Sequence, residues 1–216
     1  MRVALFDFDG TLVDSGPTVI GAAKEALTRL GFPVPDDQAL KGFVGPPLLT
    51  GITQVLGVPV DRAVEFRDTY RGIYVETMTQ APLYPGIEDL LRHLTEDGWT
   101  LAVATSKRED LAARIAEAKG IAGYFAAIAG ADITEENAGK GWVIGRALGL
   151  LKDQGVDAEG AIMVGDRLHD VKGATDQGLR SVFVTWGYGP LAEGRDAAAI
   201  AHNPTQLGGF LAELAA

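Results

Sequence analysis

The sequence predicts an α/β protein, a doubly wound parallel sheet into which an all-helical segment is inserted after the first strand. Three observations predict it. Val3-Ala4-Leu5-Phe6 is a short apolar run that leads straight into Asp7-Phe8-Asp9-Gly10-Thr11 and reads as a buried strand. From Leu83 onward, apolar strand-like runs alternate with helical patterns, as in a parallel sheet covered on both faces. Between Gly16 and Gln80 the patterns are helical, with no convincing strand.

The elements follow in order. Ser15-Gly16-Pro17 opens a helix that runs to about Gly31, because proline suits a first turn and glycine an end. Val19, Ile20, Ala23, Leu27 and Leu30 form its apolar stripe. A loop with Pro33 and Pro35 precedes a short helix near residues 38–41 and a stiff, exposed turn, Gly42-Phe43-Val44-Gly45-Pro46-Pro47. A helix over 48–56 follows, then a longer one capped by Asp61 and reaching about Met78. Beyond Leu83-Tyr84-Pro85-Gly86 the predicted helices are 86–97, 108–119, 141–151 and 169–177, with a last one after Pro204. The predicted strands are 100–104, 126–129, 161–164 and 181–184. The expected division is a core of residues 1–14 and 83–216 with a helical domain of residues 15–82.

The chain has 216 residues, enough for one large domain or a medium one with an insertion. A net charge of −10 argues against nucleic acid and anionic membranes as partners, since both demand clustered Lys and Arg. An acidic protein that binds phosphate must therefore build a local positive site from a metal, a few basic groups or helix N-termini. The absence of cysteine excludes disulfides, a Cys nucleophile and Cys-ligated zinc. With no apolar leader or membrane-length span, the expectation is a soluble cytoplasmic protein.

Polar residues gather at the predicted strand ends. Asp7 and Asp9 are two apart and project the same way, with Phe8 turned away. Two such carboxylates form a metal site, an acid–base couple, or both. Gly10 permits a sharp exit and close backbone approach to a ligand. Thr105-Ser106-Lys107 follows the second strand, where a hydroxyl and backbone N–H groups can hold phosphate oxygens. Asp166 and Asp170 follow a later strand and can reach one cation from a loop and the next helix. Lys140, between those strands, can neutralise a phosphate and the crowded carboxylates. The bland alternatives are helix caps and solvated charges at each position taken singly.

Taken together, Asp7-Phe8-Asp9-Gly10-Thr11, Thr105, Lys140 and Gly165-Asp166…Asp170 resemble the four motifs of the haloacid dehalogenase-like (HAD) hydrolase superfamily, in order and over essentially the whole chain. The resemblance implies a Rossmann-like core with a C1-type helical cap. Leu83-Tyr84-Pro85-Gly86-Ile87 is similar to the cap-to-core return of the phosphoglycolate phosphatase-like branch. It further implies that Asp7 is a nucleophile forming an aspartyl-phosphate and that Asp9 is the general acid, then the base for water. Mg²⁺ would be held by Asp7, the Asp9 main-chain carbonyl and Asp166, with Asp170 in support. Thr105 and Lys140 would hold the phosphoryl oxygens, with backbone N–H groups near Gly10 and Ser106. Dehalogenases of this superfamily lack the second Asp of the first motif, phosphonatases carry Ala there and P-type ATPases Thr, so Asp9 points to a phosphatase or phosphomutase.

The expected activity is Mg²⁺-dependent hydrolysis of a small phosphorylated metabolite, of the phosphoglycolate or nucleoside 5′-monophosphate type, by a monomer or homodimer. The alternatives are a sugar phosphomutase of the β-phosphoglucomutase type and, more remotely, a non-catalytic binding protein on the same fold. Lys41 and Phe43 are the candidate substrate contacts from the helical domain, Lys41 for a second anionic group and Phe43 for a base or apolar body. Arg62, Arg67 and Arg71 read as a solvated helix face, and Trp186-Gly187-Tyr188-Gly189 as either site rim or core packing. His93, His169 and His202 lack metal-ligand spacing.

Overall fold

A computed structural model of the chain describes residues 1–134 and 137–216. Its sheet has the strand order β3-β2-β1-β4-β5-β6, formed by β1 (Val3–Phe6), β2 (Thr100–Arg108), β3 (Phe125–Ala131), β4 (Ile162–Gly165), β5 (Arg180–Val184) and β6 (Ala199–Ala201). Every pairing is parallel. β1 is central, with Leu5 opposite Ala102 on one side and Met163 on the other. Because side chains alternate along a strand, β1 feeds both faces. Val3 and Leu5 pack with Val143, Ile144 and Met163, whereas Ala4 and Phe6 join the larger cluster of Phe8, Leu12 and the helical segment. Burial on both faces explains why the run is continuously apolar. Each such large side chain contributes about 1.5–3 kcal/mol.

Helices α5 (Ile87–Glu96), α6 (Glu109–Ala118), α7 (Lys140–Asp153), α8 (Leu168–Asp176) and α9 (Pro204–Leu214) alternate with the later strands. The chain steps outward from β1 to β3 and then returns to place β4 on the other flank of β1. The order of winding thus reverses between β1 and β4, where ligands of such sheets bind at the carboxyl ends.

Every described element between β1 and α5 is helical. Helix α1 (Gly16–Leu30) carries proline in its first turn and ends at Gly31, whose φ of 73° is left-handed. Helix α2 (Asp37–Lys41) is capped by the Asp36 side chain. The helix expected over 48–56 is α3 (Leu48–Thr50) running into a π-helical turn, Gly51–Val55. There Leu56 N–H reaches back to Gly51 C=O, and a Cβ on Gly51 would collide with the Phe43 ring. Asp61 does not cap the long helix. It lies in a 3-10 turn, Val60–Arg62, and α4 (Ala63–Thr77) starts after it without a side-chain cap.

The two passages between sheet and helical segment lie side by side. Val13 and Leu83 form an antiparallel bridge, Asp14 N–H donates to Pro82 C=O at 2.9 Å and Tyr84 N–H to Leu12 C=O at 3.0 Å. β2 is longer than its predicted 100–104 and includes Thr105, Ser106 and Lys107, although its register with β3 shifts between Ala104 and Arg108. β6 was not foreseen; its Ala-Ile-Ala run carries too little β-branched signal.

Candidate active site

Asp7 leaves the end of β1 and Asp166 the end of β4, while Asp170 comes from the first turn of α8. These strands are hydrogen-bonded neighbours, with Asp7 N–H donating to Val164 C=O at 2.8 Å. The three carboxylates each offer an oxygen within 4.8 Å of the others, and all three residues are buried. Lys140, the first residue of α7, places Nζ 2.7 Å from Asp7 Oδ1 and 2.8 Å from Asp170 Oδ1. Its side chain is 3% exposed and also donates to Ala104 C=O.

Electrostatics in this cluster is unbalanced. Burial raises Asp7 to about 6, opposed by the Lys140 ammonium and reinforced by Asp170. Burial, with the charges of Asp170 and Asp7, raises Asp166 to about 8, against the N–H bond from Tyr188. Burial also disfavours the Lys140 cation, but Asp170 and Asp7 outweigh it and hold the amine above its ordinary range. With all three carboxylates ionised, one ammonium does not neutralise them, so the cluster has room for more positive charge. The donor set fits a divalent cation, since all the oxygens are hard. Asp170 Oδ1 is buried and, although within ion-pair distance of Lys140, has no well-aligned hydrogen bond among the described residues. Such a cation would satisfy it.

Backbone turns make this approach possible. Gly10 has φ +82°, and a Cβ there would lie 2.5 Å from Asp166 Oδ2. Asp166 is held further by Tyr188 N–H at 2.7 Å, and Thr11 Oγ1 donates to Asp166 Oδ1 at the long distance of 3.4 Å.

Asp9 does not join the acidic cluster. Its Oδ2 pairs with Lys107 Nζ at 2.9 Å, and its Oδ1 is buried with no hydrogen-bond partner among the described residues. Asp7, Asp9, Thr105 and Ser106 nevertheless line one cleft, closed from the helical segment by Phe43, Tyr70 and neighbouring residues. The cleft has a volume of only about 40 Å³, space for a few water molecules.

The structure brings Asp7, Asp9, Gly10, Thr105, Ser106, Lys140, Asp166 and Asp170 to the same end of the sheet. Phe43 lines the cleft and meets Tyr70 edge-on, at 5.7 Å between centroids. Lys41 does not line it. It sits exposed in the last turn of α2, where a cation complements the helix C-terminus. Arg71, expected on a solvated face, lines the cleft and lies over the Tyr70 ring.

Other residues escaped the sequence reading. In the sequence Lys107 stands out only as part of a phosphate-holding tripeptide, yet it follows Thr105 by two on a strand, a spacing that places both on one face. Arg167 donates from its guanidinium to Val44 C=O and Glu193, joining the helical segment to the loop after β4. No local pattern signals that contact, which spans 123 positions. The loop Trp186-Gly187-Tyr188-Gly189 packs on Asp166, and Trp186 Nε1 donates to Thr11 C=O at 3.0 Å.

Comparison with known proteins shows the family and the fold. Residues 4–184 match a family described as haloacid dehalogenase-like hydrolase. A 5′-nucleotidase of Pseudomonas aeruginosa is 37% identical over 213 residues, covering 98% of this chain and 91% of the relative. The tyrosine-protein kinase PtkA of Mycobacterium tuberculosis is 38% identical over 190 residues, covering 87% of this chain but 63% of the longer relative. The crystal structure of a predicted phosphatase from Clostridium acetobutylicum superposes with a TM-score of 0.91 at 33% identity, covering 98% of each chain. Among the described residues, no helix is long and apolar enough to cross a membrane.

Proposed function

This chain belongs to the haloacid dehalogenase-like hydrolase family, and from that premise we propose that it is a Mg²⁺-dependent phosphatase of small phosphomonoesters working through an aspartyl-phosphate. The observation that carries the reading is the division of labour between the first two acidic residues. Asp7 is backed by Lys140, Asp166 and Asp170, whereas Asp9 faces the same cleft with one buried oxygen unpartnered.

In this mechanism Asp7 attacks phosphorus as the bond to the leaving oxygen breaks, and Asp9 gives its proton to that oxygen. Water then attacks the Asp7-bound phosphorus and passes a proton to Asp9, and cleavage of the acyl–phosphate link restores Asp7. Asp7, Asp166, Asp170 and the Asp9 carbonyl would hold Mg²⁺, which supplies the positive charge that lets one anion approach another. Lys140 and Thr105 orient the phosphoryl oxygens, helped by backbone N–H groups near Gly10 and Ser106.

Residues 15–82 act as the lid in this proposal, pivoting at the paired passages around Val13 and Leu83. A cleft of about 40 Å³ is small for a phosphomonoester, so substrate entry would go with movement of that lid. Phosphoglycolate and a nucleoside 5′-monophosphate are the two substrates to compare.

Asp7→Asn is the decisive variant. Phosphate release from p-nitrophenyl phosphate and from a panel of phosphorylated metabolites is expected to fall by at least about 10³-fold. Retained turnover overturns the nucleophile. Steady turnover by the unaltered protein without a bisphosphate activator separates a phosphatase from a phosphomutase.

A further inference from the structure

Lys107 is a buried cation that the reaction above leaves without a task. Its side chain is 5% exposed, although lysines ordinarily extend their ammonium to water. It lies in the stretch of β2 where pairing with β3 loses register, and its own N–H is turned to Thr105 Oγ1 at 3.2 Å. An ammonium carries three donors and no acceptor. Here one points to Asp9 Oδ2 at 2.9 Å and another to the Tyr74 hydroxyl at 2.7 Å, with the ammonium 4.6 Å from the Tyr74 ring centroid. Tyr74 belongs to α4 and is fully buried.

We propose that Lys107 is a positioning residue for Asp9: it engages Oδ2 and so leaves Oδ1 turned to the leaving oxygen and to the hydrolytic water, while Tyr74 fixes Lys107 from the lid. This inference rests on the phosphatase reading. It follows from the asymmetry of the carboxylate, one oxygen tied and the other buried without a partner. A carboxylate free to rotate would present either oxygen and transfer protons from a range of orientations, which costs rate where geometry matters. The contact also crosses between sheet and lid, so withdrawal of α4 would remove the Tyr74 support from Lys107. Asp9 is thereby held in place when the lid is shut over substrate.

The leaving group tests this. In the first step the P–O bond breaks and its electron pair goes to the leaving oxygen. An alkyl oxygen needs the proton of Asp9, whereas p-nitrophenolate departs without one. In the second step water must give a proton to an ionised Asp9 whatever the substrate was; with p-nitrophenyl phosphate Asp9 first releases its own proton to solvent. In Lys107→Met, kcat for an alkyl phosphomonoester is expected to fall about 10²-fold, with KM changed far less. With p-nitrophenyl phosphate the same variant is expected to release a rapid burst of nitrophenolate stoichiometric with enzyme, followed by slow turnover. Lys107→Arg restores part of the loss, and Tyr74→Phe, which keeps the ring but removes the hydroxyl, moves both readouts the same way to a smaller extent. If Lys107→Met fails to fold, Tyr74→Phe carries the comparison. Equal losses on both substrates with no burst, or a rise in KM alone, overturn the assignment and make Lys107 a structural or phosphate-holding cation. If the unaltered protein hydrolyses neither ester, the phosphatase reading itself falls and this inference with it.

Discussion

The Tyr188 hydroxyl donates to Asp14 Oδ1 at 2.5 Å, joining the loop after β5 to the first passage into the helical segment. The same hydroxyl accepts from Gly16 N–H, at the start of α1, and the ring lies where a Cβ on Gly16 would collide. Burial holds the phenol well above its ordinary pKa, so it stays a donor. Meanwhile the Tyr188 backbone N–H donates to Asp166 Oδ2. One residue therefore binds the start of the helical segment with its side chain and the acidic cluster with its backbone.

These two roles separate on mutation. Tyr188→Phe keeps the N–H to Asp166 but strands the Asp14 carboxylate and the Gly16 N–H. It is expected to cost about 1–3 kcal/mol of stability, read by urea unfolding, with Mg²⁺ affinity little changed. A large loss of Mg²⁺ affinity would show that the hydroxyl, not the backbone, supports Asp166.

Gly187→Ala acts on the acidic cluster instead. A Cβ at this position would lie 2.2 Å from Asp166 Oδ2, and Asp166 is fully buried. The carboxylate must shift, so calorimetric titration should show Mg²⁺ binding weakened about 10–100-fold. Gly149→Ala, in the interior of α7 with nothing within 4 Å of its Cβ, is the control and should leave binding unchanged.

Lys140→Met removes the cation that touches both Asp7 and Asp170. The carboxylates left behind are buried and uncompensated, a situation that costs about 3–5 kcal/mol. Urea unfolding in chelator should show that loss, and Mg²⁺ should recover part of it. Equal destabilisation with and without Mg²⁺ would mean that the ion and the lysine do not act on the same charges.

The raised carboxylates predict the pH dependence. The unfolded chain releases the protons of Asp7 and Asp166 near their ordinary value of 3.8, whereas the metal-free fold keeps them to about 6 and about 8. The fold binds more protons in that interval, so the stability these two groups contribute is fully present below about pH 4 and is lost as pH rises to about 8. A divalent ion must displace the same protons. The gain in Tm from Mg²⁺ over EDTA is therefore expected to be larger at about pH 8 than at about pH 5. A gain that is equal or smaller at the higher pH would remove the three-carboxylate metal site.

Much of this was legible before any coordinates. The strand β1, the all-helical run that follows it and the later alternation could be read because periodicity and turn residues are local signals. The expected α1 matches Gly16–Leu30 closely. Departures occurred where local signals were overridden. The helix over 48–56 relaxes into a π turn where Phe43 presses on Gly51, and Asp61 is bypassed because a 3-10 turn intervenes before α4. Lys41, an isolated cation at the end of α2, had no sequence feature to say which way it would face.

The sequence by itself determined the succession of strands and helices from β1 to β5 and the chemical types at their ends, because residue identity and spacing carry both. Only the tertiary structure decided who meets whom. The placement of β4 beside β1 brings Asp166 to Asp7, the approach of α7 puts Lys140 between Asp7 and Asp170, and the seat of α4 sets Tyr74 on Lys107. Those pairings join residues tens of positions apart, and their energies depend on burial and angle, which no linear pattern encodes.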